Sequence, residues 1–235
     1  MTRKLIALAA LVLASQTQAA GWEAGRHYTV LAQPQRTNVP AGKVEVLEVF
    51  SYGCPACDNF EPHMKRIKAA LPANAHVVYL HASWNKAEAW PLFQRSYITA
   101  QSLGVADRAH QEMYKAIWQT GELGVVDKAT GRLKTRLPTI EQVAKFYERV
   151  TGVKAADFVN ASKSFGVDMK VKQSDAQILA MRITGTPSIV VNGKYVLNSE
   201  NLPTIEDYIA VIKFLVAKET KPAAAAAPTA PARKN

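Results

Sequence analysis

Cysteine is almost absent from this chain of 235 residues: there are two, Cys54 and Cys57, three positions apart. That excludes a scaffold stapled by several disulfides. It also argues against structural zinc, which takes four ligands. No second cysteine pair exists, and His27, His63, His76, His81 and His110 show no finger spacing. Long apolar runs are missing too. The run Leu5–Ala14 has ten residues, too few to cross a bilayer. Acidic charge is scarce, with 19 Asp and Glu against 29 Lys and Arg, a formal net charge of +10. Four of those cations (Arg3, Lys4, Arg233 and Lys234) stand at the chain ends. The rest are spread along a chain with no nucleic-acid motif, which reads as a solvated surface. Internal repeats are absent. What remains is 48% hydrophobic and 20% charged, the balance of a soluble globular protein. The length suits one domain of about 100–200 residues with room for an insertion.

The two ends differ in kind. Arg3 and Lys4 precede the apolar run, and Thr17-Gln18-Ala19 places small residues at −3 and −1. Residues 1–19 therefore read as a secretory signal peptide cleaved after Ala19. Its removal leaves 10 − 2 = +8. The other end, residues 219–235, is dominated by alanine and proline and cannot build a packed face. A mobile, solvated tail is expected there.

Between the ends, Val44-Glu-Val-Leu-Glu-Val-Phe50 reads as a buried strand. Phe60, Met64, Ile67 and Leu71 recur at helix spacing, and Pro72 ends that helix. Val77–His81 is a second strand. This β-α-β unit predicts parallel pairing with a right-handed crossover. A long section without strand signals follows. Trp90, Phe93, Tyr97 and Ala100 mark one helix. His110, Met113, Tyr114, Ile117 and Trp118 mark another. Leu123–Leu137 reads as a loop, and Thr139-x-x-Gln142 is a capping box opening a third helix along Val143, Phe146, Tyr147 and Val150. Asp157–Phe165 predicts a short helix stopped by Gly166, and Val171, Ile178 and Met181 a further one. Two short apolar runs, Ser188–Val191 and Lys194–Leu197, then flank Asn192-Gly193, a strong hairpin signal because a type I′ turn needs φ > 0 at both central positions. Thr204-x-x-Asp207 opens a last helix. A β-α-β unit and a β-β-α unit together predict one mixed sheet flanked by helices. Residues 20–81 and 181–218 form that unit, and residues 82–180 are an inserted all-helical subdomain.

Cys54-Pro55-Ala56-Cys57 falls where the first strand ends and the first helix begins. A helix N-terminus carries roughly +0.5 of an elementary charge and unpaired N–H groups. A thiolate there is favoured over the thiol, and Pro55 suits the first helical position. Cys54 is expected to be exposed and nucleophilic, with Cys57 shielded one turn further in. Stabilising the thiolate stabilises the reduced form, so the disulfide becomes more oxidising. An inert structural disulfide is the bland alternative, but so short a loop contributes little closure entropy. Gly185-Thr186-Pro187 precedes the hairpin. Proline there either starts the strand or follows a cis bond, and position alone does not decide.

Taken together, Leu47-Glu-Val-Phe-Ser-Tyr-Gly-Cys-Pro-Ala-Cys57, Gly185-Thr-Pro-Ser188 and Val191-Asn-Gly-Lys-Tyr195 resemble the DsbA family of bacterial periplasmic thiol:disulfide interchange proteins. The likeness runs to about Lys218. It implies a thioredoxin fold with an inserted helical domain. It implies that Cys54 attacks and Cys57 resolves. It also implies that Pro187 is cis and faces the cysteines, with Thr186, Pro55 and Ala56 contributing to substrate binding. The implied partners are unfolded secreted proteins with free cysteines, and a DsbB-like membrane quinone reductase as reoxidant. No cofactor beyond the Cys54–Cys57 disulfide, no metal and no nucleic acid is expected, and the chain is expected to be monomeric.

Three features depart from the family's best-known members. Ala56 replaces a histidine, which predicts a weaker pKa depression at Cys54 and a milder oxidant. Thr186 replaces a valine and also occurs in isomerases and reductases of the superfamily. Glu48 matches a buried acid beneath the active site, but its usual lysine partner on the next strand is absent. An unpartnered carboxyl in a dry site has a raised pKa and is a candidate proton shuttle for Cys57. The alternative for Glu48 is an edge position facing water. Tyr52, Trp84 and Trp90 are candidates for an apolar surface near the cysteines, with core as the alternative, favoured for Trp90. The competing functions are a disulfide isomerase or reductase and a non-catalytic peptide-binding module.

Overall fold

The structure, a computed structural model, describes residues 21–85 and 88–220. The expected leader at 1–19 and the tail from residue 221 onward lie outside these residues. The helical and extended segments alternate as β1 (Tyr28–Val30), β2 (Val44–Phe50), α1 (Pro55–Ala70), β3 (Ala75–His81), α2 (Trp90–Ser102), α3 (Ala106–Tyr114), α4 (Ile140–Thr151), α5 (Ala155–Ser162), α6 (Phe165–Ala180), β4 (Ser188–Val191), β5 (Tyr195–Leu197) and α7 (Ile205–Thr220). A π-helical turn, Lys115–Gln119, continues α3.

One mixed sheet runs in the order β1-β5-β4-β2-β3. The pairing of β2 with β3 is parallel and in register from Val44↔Ala75 to Phe50↔His81, as a β-α-β unit requires. β4 lies antiparallel on the other side of β2. β2 is therefore central, and every one of its seven residues is buried. Side chains alternate across a strand, so each parity of β2 feeds a different core. Val44 and Val46 pack with Met64 and Ile67 of α1 and with Val211, Ile212 and Leu215 of α7. Leu47 and Val49 pack on the opposite face with Ile178, Met181 and Ile183. The C-terminal end of α6 therefore belongs to the sheet's packing, although the sequence places residues up to 180 in the helical insertion. A third core starts at Phe50 and Tyr52, takes in both cysteines, and continues into the helices through Phe93, Tyr97, Met113, Tyr114, Phe146, Tyr147 and Phe158.

Local signals behave as their chemistry demands. Thr139 accepts from the Gln142 N–H while the Gln142 side chain accepts from the Thr139 N–H, closing the capping box of α4. Asn192 and Gly193 have φ of 53° and 61°, the left-handed pair that a two-residue hairpin needs. Gly193 carries a second constraint: a Cβ there would sit 2.3 Å from the Gln35 carbonyl oxygen. Gly193→Ala is expected to cost about 2 kcal/mol or more, seen as a lower urea midpoint at unchanged slope.

One strand goes unannounced in the sequence, and two expectations are corrected. β1 carries no strong strand signal, yet it pairs with β5 from Tyr28↔Leu197 to Val30↔Tyr195. Gly166 does not stop α5, which ends at Ser162. It lies in the first turn of α6, whose cap is Ser164, accepting from the Val167 N–H. Glu219 is not part of a free tail. It sits in α7 and accepts hydrogen bonds from Asn192, from Lys194 at 2.6 Å and from Tyr195 at 2.8 Å, tying the helix end to the hairpin.

Candidate active site

The end of β2 delivers the chain to α1 through Ser51–Cys54. Cys54 is the N-cap of α1, with φ −95° and ψ 116°, and Pro55 takes the first helical position. The turn is closed locally. The Gly53 N–H donates to Ser51 Oγ at 3.1 Å, and the Cys54 N–H to the Ser51 carbonyl at 3.1 Å. Both cysteines are free thiols.

Thr186 and Pro187 come to this point from the start of β4, joined by a cis peptide bond. The Cys54 S–H donates to the Thr186 carbonyl at 3.5 Å. No side-chain capping bond closes at Cys54 in the thiol form. Ionised, the sulfur gains several donors, and its pKa falls from the ordinary 9.0 to about 6. The largest cause is the Cys57 S–H, followed among the favourable ones by the Thr186 hydroxyl and then by the backbone N–H groups of Cys57 and Ala56. Burial opposes the shift. The helix start thus contributes as expected, but it ranks behind the neighbouring thiol. Cys57 behaves oppositely. Burial pushes its pKa far up, and its hydrogen bond to the Cys54 sulfur adds to the shift. One sulfur is poised to ionise and the other is held protonated.

The expectation of an exposed Cys54 needs correction. It keeps 8% of its surface and Cys57 keeps none, because the third core reaches up to the cysteines. Pro55 and Ala56 beside them are exposed, and Thr186 and Pro187 half-buried. Tyr52 is wholly buried core, not surface. Trp90 is half-buried and packs against the same core. Trp84 is 41% exposed, and its ring lies 6.3 Å from that of Trp90.

Glu48 sits in β2 between Tyr79 of β3 and Ile189 of β4. It does not face water, with 2% of its surface accessible. Burial pushes its carboxyl well above the usual range, and the like charge of Glu61 on α1 adds to the effect. Tyr79 stands in the position opposite Glu48 on β3, so no cation reaches Glu48 from that strand. Among the described residues no cluster of three or more His, Cys, Asp or Glu is arranged to hold a metal ion.

Sequence reasoning missed three residues that hydrogen-bond this loop; one is His110, whose Nδ1 lies 2.9 Å from the Tyr52 hydroxyl. Trp118 Nε1 donates to the Tyr52 carbonyl at 2.9 Å, and His81 Nε2 accepts the Tyr52 N–H at 3.1 Å. Trp118 reads in the sequence only as one more apolar residue on a helix face, and His81 only as the end of a strand.

Known proteins are similar to this chain. Residues 39–213 match the protein family described as Thioredoxin. The chain is 31% identical over 221 residues to the thiol:disulfide interchange protein DsbA of Pseudomonas aeruginosa, covering 92% of this chain and 97% of that one. This chain belongs to the DsbA family. The DsbA of Pseudomonas syringae pv. tomato is 32% identical over 229 residues, 95% of this chain and 99% of the relative. The crystal structure of the oxidoreductase DsbA from Xylella fastidiosa superposes with a TM-score of 0.71 at 29% identity, covering 84% of this chain and 97% of that one. The fold is therefore thioredoxin-like and the chemistry is thiol:disulfide interchange at the Cys54–Cys57 pair.

Proposed function

We propose that the protein donates the Cys54–Cys57 disulfide to newly secreted proteins in the bacterial periplasm and is returned to the oxidised state by a DsbB-like membrane quinone reductase. One observation carries the direction: the Cys54 thiol is lowered to about 6 while Cys57 is pushed up. A substrate thiolate attacks Cys54 Sγ, the bond to Cys57 breaks, and Cys57 leaves with the electron pair and takes a proton. A second substrate thiolate then attacks the substrate sulfur of the mixed disulfide. Cys54 leaves as a thiolate, and the substrate keeps the new disulfide. Two electrons have moved to the enzyme. A leaving thiol of low pKa leaves faster, so a depressed Cys54 favours donation.

In this reading Glu48 supplies and recovers the proton of Cys57. The half-buried Thr186 and Pro187 and the exposed Pro55 and Ala56 form the platform on which an extended substrate segment lies. Residues 20–81 and 181–218 serve as the thioredoxin-like unit and residues 82–180 as the helical insertion, with secretion directed by residues 1–19. The protein works as a monomer. Among the described residues no helix is long and apolar enough to cross a membrane.

The direct test oxidises a reduced multi-thiol substrate with stoichiometric oxidised protein. The native chain is expected to form substrate disulfides and to equilibrate with glutathione as the stronger oxidant. Cys54→Ser is expected to lose transfer entirely. A thioredoxin-like potential would overturn the donor direction. So would a chain that rearranges scrambled substrates yet fails to oxidise reduced ones.

A further inference from the structure

The loop that presents Cys54 is gripped from two sides, by His81 at the end of β3 and by the helical layer. Tyr52 is the point of attachment, and each of its polar groups has a partner. Its N–H passes to His81 Nε2 at 3.1 Å. Its carbonyl accepts Trp118 Nε1–H at 2.9 Å. Its hydroxyl lies 2.9 Å from His110 Nδ1. Residue 52 stands beyond the last β2–β3 pair, Phe50↔His81. Sheet hydrogen bonding no longer satisfies its peptide groups, and buried peptide groups need partners.

The state of these rings follows from their contacts. His81 Nε2 accepts an N–H, so its proton is on Nδ1, which donates to the Ala82 carbonyl at 2.8 Å. Burial holds both His81 and His110 near a pKa of about 3, so both are neutral across the working range. His110 Nε2 faces Glu61 Oε2 at 3.7 Å. The Tyr52 ring itself is fully buried, packed edge-on to Phe50, His81, Tyr97 and Tyr114.

The neighbouring residue is held by shape. A Cβ on Gly53 would lie 2.7 Å from Cδ1 and Nε1 of Trp90, so the indole rests directly on the backbone just before Cys54. The indole is fixed in turn by its N–H to Glu88 at 3.1 Å. Three elements of the helical layer thus converge on two residues: α2 with Trp90, α3 with His110, and the π turn with Trp118. Trp118 lies within the π turn, a feature frequent at functional sites, and its indole N–H meets the Tyr52 carbonyl from there.

We infer that the helical layer is the positioning frame of the redox loop: Trp118, His110 and Trp90 hold Tyr52–Gly53 in place and so set the Cys54 sulfur against Thr186. The Thr186 donor and the Cys57 S–H act on Cys54 only over hydrogen-bond distances. A loop free to shift by a few tenths of an ångström weakens both at once. The frame rests on the reading of Cys54 as the reactive thiolate. It assigns positioning roles to residues whose hydrogen bonds go to neither sulfur.

Trp118→Phe tests it, since it removes one donor and keeps most of the ring. Reduced protein is titrated by thiolate absorbance and equilibrated with glutathione, and its unfolding is followed in urea. The variant is expected to titrate higher than the native chain. Its glutathione equilibrium is expected to move about threefold or more toward a weaker oxidant, the effect of roughly one net hydrogen bond. Tyr52→Phe, which deletes only the hydroxyl held by His110, is expected to move both quantities the same way by less. It decides the matter if Trp118→Phe does not fold. Folded variants with a lower urea midpoint but native titration and native equilibrium would overturn the frame and leave a merely structural contact. A native chain whose Cys54 titrates as an ordinary thiol would overturn the thiolate reading and the frame with it.

Discussion

Cys57→Ala is expected to turn the protein into a trap. The reduced variant keeps Cys54, which can still attack a disulfide and form a mixed disulfide with its target. In the native chain the buried thiol of Cys57 attacks that bond from within and frees the target. Without it the adduct accumulates, visible as a mass increase of one target molecule and reversed by dithiothreitol. The same substitution tests the electrostatics. The Cys57 S–H is the largest contribution to the depressed Cys54 pKa, ahead of the Thr186 hydroxyl and the backbone N–H groups. Its removal is expected to raise the thiolate titration by about one pH unit. Absorbance of the reduced variant against pH measures this directly. A titration that stays at the native value would mean that the Thr186 hydroxyl and the backbone N–H groups of the helix start sustain the thiolate without the Cys57 S–H.

The same shift makes the stability of the reduced protein depend on pH with a definite sign. Cys54 is depressed from 9.0 to about 6 in the folded chain. Its contribution is complete above 9.0 and is lost as pH falls toward 6. The Cys57 thiol is pushed up, so it stays protonated through that window and opposes only above the ordinary thiol pKa. The oxidised protein has neither thiol. The stability of the reduced form over the oxidised form therefore grows from pH 6 to 9. That growing difference is the thermodynamic drive to hand the disulfide on.

Much of this site is legible in the chain because its signals are local. A cysteine followed by proline at the start of a helix fixes where the sulfur lies relative to the backbone N–H groups. Asn192-Gly193 specifies a turn by its left-handed dihedrals, and Thr139 and Gln142 satisfy one another across three residues. What stays hidden depends on partners distant in sequence. β1 has three residues and buries only Tyr28, and it exists because β5, 169 residues later at Tyr28↔Leu197, offers an edge. The burial of Cys54 comes from helices whose packing the local pattern does not specify. Trp118 fits a helical face by spacing, but its indole N–H meets the Tyr52 carbonyl, 66 residues away. Glu48 shows the reverse case. Strand alternation leaves its face open in the sequence, and only its burial in the folded chain settles that it is dry.

Glu48→Gln is expected to stabilise the protein and slow its chemistry. A carboxyl whose folded pKa lies above its unfolded value weakens folding as pH rises from the unfolded value toward the folded one. The unfolded chain releases the proton first, and the folded chain must retain it or bury a charge. Glu48 has such a raised pKa, caused by burial and then by Glu61. Glutamine has nearly the same volume and nothing to ionise. The variant is expected to gain about 1–3 kcal/mol at pH 7, or several degrees in Tm. The gain vanishes below pH 4, where Glu48 is protonated in both states. In exchange, Cys57 loses its proposed proton carrier. Disulfide transfer at pH 7 is expected to fall roughly tenfold or more, while Cys54 still reacts with small alkylating agents at close to its native rate. A variant equally fast in transfer and no more stable than the native chain would remove Glu48 from the mechanism. A variant more stable but equally fast would leave it as a buried acid whose cost the fold tolerates for another reason. The two readouts separate because stability depends on where the proton sits at equilibrium, whereas transfer depends on how quickly it reaches the departing sulfur of Cys57.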